Sequence, residues 1–175
     1  MNKFFHQASR VLKDGGSIIV FMAIIKVETI IQLAQKHGLY YKTTGIWHKS
    51  NPMPRNMNLH FVNSTESWIY FTYKTKTGHL TTTEKYCMTL LKHLLHQTAK
   101  KKYGKHPTQK PEALMEHFVK VLSNENDTIL DPFMGSGSVG VSAVKNNRNF
   151  VGIELDENYF NIATSRIKEV KKNEI

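Results

Sequence analysis

Apolar residues recur with a helical period at the start of the chain. Phe4, Phe5, Ala8, Val11 and Leu12 share one face of a helix predicted over 4–13, and Asp14-Gly15-Gly16 stops it. Ser17–Met22 is a short β-branched apolar run, the pattern of a buried strand. Lys26–Lys36 returns to helical spacing through Val27, Ile30, Ile31 and Ala34, with Gly38 as its C-cap. Leu39–His48 and Ser67–Tyr73 predict two further strands, and Met88–Leu95 a short helix. Pro111–Leu122 predicts a helix with Pro111 at N1 and Ala113, Leu114, Phe118 and Val121 inward. The remainder reads as strand Thr128–Leu130, helix Val139–Asn147, strand Asn149–Leu155 and helix Glu157–Val170. A strand, a glycine loop, a helix, a strand ending in an acid and a second helix make the βαβ unit of a parallel sheet, so the fold class is α/β. No internal repeat interrupts the pattern.

Charge changes the picture next. The 175 residues hold 24 Lys+Arg against 14 Asp+Glu, a net charge of +10, which favours a polyanionic partner, nucleic acid first. Much of the excess lies between 74 and 105, where Lys74, Lys76, Lys85, Lys92, Lys100, Lys101, Lys102 and Lys105 face a single acid, Glu84. The lone Cys87 excludes a disulfide framework and a multi-cysteine metal site, and is expected to be a buried apolar residue. His93 and His96 sit at i, i+3 without a third ligand, so no metal is expected. No apolar run is long enough to span a bilayer, and the first residues do not read as a secretory signal. A soluble, cytoplasmic chain is expected.

The segment Asp131-Pro132-Phe133-Met134-Gly135-Ser136-Gly137-Ser138 carries candidate chemistry. It leaves a strand and enters a helix. Gly135 and Gly137 permit a tight turn and a close ligand approach, and the first amides of the helix offer donors. Glu154 follows Gly135 by 19 residues at the end of the next strand, where an acid can take the hydroxyls of a ribose. The combination points to a nucleoside-containing ligand. Asp131 would repel a pyrophosphate but attract the cationic amino group of a methionine moiety, which favours S-adenosylmethionine over a nicotinamide dinucleotide.

Asp131–Gly137 resembles motif I of the DNA amino-methyltransferases that modify N6 of adenine or N4 of cytosine. His106-Pro107-Thr108-Gln109-Lys110-Pro111 resembles their motif X, which precedes motif I in the β-type permuted order, and Gly152-Ile153-Glu154-Leu155-Asp156 resembles motif II. Upstream, Val11–Ser17, Trp47–Asn56 and Ser64–Tyr70 are similar to segments of the catalytic half, so the likeness covers nearly the whole chain in order. It implies a Rossmann-like, circularly permuted S-adenosylmethionine-dependent methyltransferase sheet in one domain, 1–175, with 74–105 as a short basic target-recognition insertion. Asp131 is then expected near the methionine amino group and Phe133 beside the cofactor. Gly135 and Gly137 are expected to shape the loop and Glu154 to hold the ribose. Leu155 or Asp156 is expected to border the adenine, and Thr108 and Lys110 to lie near the methionine carboxylate.

Methylating an exocyclic amine requires acceptors that localise its lone pair, and a base flipped from the duplex onto an aromatic ring. The family meets both needs with Asp, Asn or Ser followed by Pro-Pro and an aromatic. That tetrapeptide does not occur in these 175 residues; Asn51-Pro52-Met53-Pro54 comes nearest, and it follows the Gly15-Gly16 strand where the family's motif precedes it. The resemblance therefore implies a sheet incomplete at the N-terminus and a chain inactive alone, being a truncated or split form. The strands of Ser17–Met22 and of motif I then pair directly, are bridged by a second chain, or are covered in a homodimer. Double-stranded DNA is the expected partner. Lys100, Lys101, Lys102 and Lys105 are expected to meet its phosphates, and Arg55 and Asn56 its base edges. The competing reading is a non-catalytic DNA-binding remnant or regulatory module that keeps the fold.

Overall fold

The computed structural model describes residues 1–49, 64–76, 90–93 (backbone only) and 109–172. They fall into two compact units, 1–76 with 90–93, and 109–172.

The first unit opens with helix α1 (Asn2–Val11), strand β1 (Ser17–Met22), a single 3-10 turn (Ile24–Lys26) and helix α2 (Val27–Gln35). Strands β2 (Leu39–Lys49), β3 (Thr65–Tyr73) and β4 (Leu90–His93) follow. The sheet order is β1-β3-β2-β4. β3 runs antiparallel to both neighbours, with Ser17 opposite Thr72 and Thr44 opposite Ile69, and β2 slips register between Tyr41 and Thr43. Period-2 alternation then sends Ile69 and Phe71 to the helical face, where they join Phe5, Val20, Ile30, Ala34 and Leu39 in one core. Phe5 meets Phe71 edge-on at 6.0 Å between centroids. Gly15 (φ +82°) makes the turn from α1 into β1, its amide donating to the Tyr73 carbonyl at 2.9 Å.

Four sequence expectations are corrected in this unit. α1 ends at Val11, whose side chain is exposed rather than part of the inward face. α2 ends one turn short of Gly38, with Lys36 at the C-cap; Gly38 (φ +74°) lies two residues further on and turns the chain into β2. The expected helix over 88–95 is replaced, at Leu90–His93, by a strand parallel to β2, with Ile46 opposite Leu90 and Lys49 opposite His93. A four-residue segment such as Leu90-Leu91-Lys92-His93 is too short to show a period of its own, and here an available strand edge decides its structure. His93 accordingly lies on a strand rather than on a shared helix face with His96.

The second unit consists of helix α3 (Glu112–Leu122), strand β5 (Thr128–Asp131), helix α4 (Ser138–Lys145), strand β6 (Asn149–Gly152) and helix α5 (Glu157–Lys172). β5 and β6 are parallel, with Thr128 opposite Asn149 and Asp131 opposite Gly152, and α4 is the crossover. α4 is buried along most of its length and carries small side chains, Gly140, Ser142 and Ala143, that admit both α3 and α5. A Cβ at Gly140 would lie 2.5 Å from Ile167 Cδ1. Pro111 is the N-cap of α3 rather than N1, and the inward face is Leu114, Met115, Val119 and Val121, with Ala113 exposed and Phe118 half-buried. β6 stops at Gly152, so Glu154 stands beyond the strand end.

β1 and β5 belong to different sheets, and each has one ladder partner among the described residues. One face of the β5–β6 pair leaves Leu130 and Val151 exposed. Among the described residues, no helix is long and apolar enough to cross a membrane.

Candidate cofactor site

The loop between β5 and α4 is built by backbone hydrogen bonds that the two glycines make possible. Gly135 (φ +51°) and Gly137 (φ +77°) both adopt the left-handed region, where a side chain is strained. The Gly137 amide donates back to the Met134 carbonyl at 2.7 Å, closing a turn. Gly137 also lets α5 approach: a Cβ there would sit 2.9 Å from the Ala163 Cβ. Met134 is buried and anchors the loop, its amide donating to the Ile153 carbonyl at 3.0 Å.

Two carboxylates flank this loop, and their surroundings shift them in opposite directions. Asp131 ends β5, and its Oδ1 accepts the Phe133 amide at 3.0 Å. Burial pushes its carboxyl above the ordinary aspartate value; the Phe133 amide opposes that shift, and the Glu154 charge adds to it. Glu154 is the reverse case. Its Oε1 accepts the amides of Leu155 at 2.9 Å and Asp156 at 3.0 Å, and its Oε2 accepts the Gly135 amide at 2.8 Å. The Asp156 amide leads in holding the carboxyl below the ordinary glutamate value; desolvation opposes it, the Gly135 and Leu155 amides add to it, and the Asp156 charge opposes it. An ionised carboxylate has about four lone-pair sites. Among the described residues three are used, and one remains on Oε2 for an incoming hydroxyl.

Apolar side chains stand out around the acids. Phe133 is 76 % exposed and Leu155 fully exposed, beside Asp131 and Glu154 respectively. Lys110 reaches the loop through its main chain: Ser138 Oγ, at the first position of α4, donates to the Lys110 carbonyl at 2.9 Å. The fold therefore brings Asp131, Phe133, Gly135, Gly137, Glu154, Leu155 and the Lys110 backbone to one end of the β5–α4–β6 unit. Thr108, Arg55, Asn56, Lys100, Lys101, Lys102 and Lys105 lie outside the described residues.

Sequence reasoning missed two polar residues of this unit. Arg166 is 4 % exposed; its guanidinium donates to the Ser136 carbonyl in the loop and to Glu112 Oε1 at 2.6 Å. Burial raises the Glu112 carboxyl, but hydrogen bonds and charge from Lys145 and Arg166 outweigh it, leaving the group below its ordinary value. The available signal was a charge in the middle of the apolar stripe Ile162, Ala163, Ile167 on α5.

The residues present suit S-adenosylmethionine chemically. The spare Oε2 site can take a ribose hydroxyl, the half-buried Asp131 carboxylate would be favoured in its charged form by a nearby cation, and Phe133 and Leu155 offer apolar surface to a purine.

The DNA methylase family matches residues 1–165. The Type II methyltransferase M2.DpnII of Streptococcus pneumoniae is 31 % identical over 179 residues, covering 95 % of this chain and 65 % of that protein. M.HinfI of Haemophilus influenzae is 32 % identical over 180 residues, covering 95 % of this chain and 50 % of that protein. The chain thus spans between half and two thirds of these relatives. The crystal structure of the M1.HpyAVI complex with S-adenosylmethionine superposes with a TM-score of 0.80 at 31 % identity, covering 95 % of this chain and 81 % of that one. The PvuII cytosine-N4-specific DNA methyltransferase shares the fold, with a TM-score of 0.79 at 18 % identity over 97 % of this chain and 72 % of that one. Its α/β fold is that of the Rossmann-like methyltransferases, and the chain belongs to the DNA methylase family of amino-methyltransferases.

Proposed function

We propose that the chain is the cofactor-binding part of a site-specific DNA methyltransferase that acts on N6 of adenine or N4 of cytosine. The observation that carries the reading is the Glu154 carboxylate, fixed by three backbone amides with one acceptor site left among the described residues, near a half-buried Asp131. S-adenosylmethionine supplies the electrophilic sulfonium methyl. Glu154 orients the ribose, Asp131 takes the amino group, Phe133 lies beside the cofactor, Leu155 or Asp156 borders the adenine, and Thr108 and Lys110 meet the carboxylate. Gly135 and Gly137 let the loop pass close to the ligand. The M1.HpyAVI structure, solved with S-adenosylmethionine, supports this choice of cofactor. DNA is the partner, with Arg55, Asn56, Lys100, Lys101, Lys102 and Lys105 as its contacts, and the net charge of +10 supports it.

The target amine needs acceptors of its own, and no Asp/Asn/Ser-Pro-Pro-aromatic tetrapeptide occurs in the 175 residues. In this reading the 175 residues bind cofactor without transferring methyl groups by themselves, and a polypeptide carrying that motif completes the reaction. The same absence favours a second reading, a non-catalytic DNA-binding module that keeps the fold. One experiment separates the two. Calorimetry with S-adenosylmethionine is run first, and a radiolabelled methyl-transfer assay on duplex DNA follows, with and without a co-expressed family segment bearing the motif. Cofactor binding plus rescued transfer establishes the split enzyme. Binding of DNA without cofactor establishes the module. Transfer by the 175 residues alone overturns the assignment of catalysis to other residues.

A further inference from the structure

One buried charge has no part in the cofactor contacts. Arg166 projects from α5 between two segments distant in sequence, the glycine loop 30 residues away and the start of α3 54 residues away. Its fork binds the Ser136 carbonyl with one nitrogen and Glu112 Oε1 with the other, at 2.6 Å for the latter. Glu112 Oε2 takes Lys145 of α4 at 2.9 Å. Two serines of α4 add to the tie, Ser138 to the Lys110 carbonyl at 2.9 Å and Ser142 to the Glu112 carbonyl at 3.2 Å. A buried ion pair is weak evidence of stabilisation, because well-packed apolar residues of similar volume often serve the fold as well. A planar fork does something such residues cannot: it fixes the direction of two acceptors at once.

We propose that Arg166, with Glu112, is a positioning residue for the cofactor site. By turning the Ser136 carbonyl toward α5, it removes an oxygen from the side an anionic group would approach. By holding Glu112, it sets the depth at which the Lys110 segment lies against the first turn of α4. The brace therefore aligns the segment assigned to the amino-acid end of the cofactor, and leaves the ribose end, held by Glu154, to its own amides. The proposal rests on the S-adenosylmethionine reading.

The test compares two ligands on the 175-residue chain. S-adenosylmethionine has the amino-acid end and 5′-methylthioadenosine lacks it. Arg166→Lys keeps the charge but loses the fork, and Glu112→Gln keeps an acceptor but loses its charge. In each variant with an unchanged far-UV spectrum, S-adenosylmethionine should bind about tenfold more weakly, the scale of one charge-assisted hydrogen bond. The affinity for 5′-methylthioadenosine should stay within about twofold. Equal losses for both ligands make Arg166 a merely structural residue, and unchanged affinity for both removes it from the site; either overturns the proposal. Amide hydrogen exchange of the ligand-free chain gives a second readout. Arg166→Lys should speed exchange in the 135–137 loop while the slowest core amides keep their rates, and unchanged loop exchange overturns the brace. A parent chain that binds neither ligand overturns the cofactor reading instead, with the exchange result still deciding whether the brace exists.

Discussion

Replacing Glu154 by glutamine changes one oxygen to an amino group and removes a charge, and the structure says what each change costs. Oε1 already accepts two amides and Oε2 one, at 2.8–3.0 Å. A glutamine that keeps its carbonyl oxygen on Leu155 and Asp156 must point its NH2 at the Gly135 amide, donor against donor. The reverse rotamer saves the Gly135 bond and loses two. Because the carboxylate is open to water, solvent can replace the lost partner, and the ligand-free chain should lose no more than about 1 kcal/mol. Binding is affected more. The single remaining lone-pair site makes one strong bond to a ribose hydroxyl, and hydrogen bonds to charged groups are worth about 1.5–3 kcal/mol. Solvent exposure argues for the lower end, about 1.5 kcal/mol, or roughly tenfold in Kd. Calorimetric titration of Glu154→Gln with S-adenosylmethionine measures this directly, alongside a urea melt of the ligand-free protein. Glu154→Asp is the informative companion, since it keeps the charge but is one methylene short of Gly135. Parent-like affinity in Glu154→Gln, with the fold intact, would refute the placement of the ribose on this carboxylate.

Other perturbations follow from the same loop. Gly137→Ala combines a left-handed φ, costing about 1–2 kcal/mol for an L-residue, with a Cβ 2.9 Å from Ala163, for which overpacking costs about 1–3 kcal/mol. The summed loss of about 2–5 kcal/mol in a urea titration is the expected result, and a loss under 1 kcal/mol contradicts it. Asp131 makes a prediction of opposite sign for stability and affinity. Its folded pKa is raised, so ionising it costs stability, a penalty absent below the unfolded pKa and fully present above the folded one. Asp131→Asn keeps an oxygen for the Phe133 amide and should raise the melting temperature at neutral pH while weakening S-adenosylmethionine. In the parent, affinity should fall with decreasing pH from a point above the ordinary aspartate value of about 3.9; a flat profile down to that value contradicts the ammonium contact.

How much of this was legible in the sequence depends on whether the deciding interaction is local. The loop between β5 and α4 was readable because its signals are adjacent or set by the βαβ unit. Two glycines that must take positive φ, an acid before them and another one strand later specify both the turn and what flanks it. Leu90–His93 could not be read this way, because a four-residue run becomes a strand only where β2 offers its edge. The orientation of α3 was hidden for a different reason. Its apolar residues fit an inward face through Ala113 and Phe118 almost as well as the observed one through Met115 and Val119. Glu112 breaks the tie: held by Lys145 and Arg166, it faces inward, and the positions three and seven residues later, Met115 and Val119, are turned in with it. A hydrophobic pattern treats Glu112 and Arg166 as surface charges and so discards the two residues that set the helix. If that reasoning is right, cutting the tie should release the helix rotation before it unfolds the core. In Glu112→Ala, Ala113 should then become more protected and Val119 less, each read as a change in amide exchange against unchanged rates at Val141 and Ala143. Uniform acceleration along α3 would mean that apolar packing alone sets the rotation, and that the polar tie merely follows it.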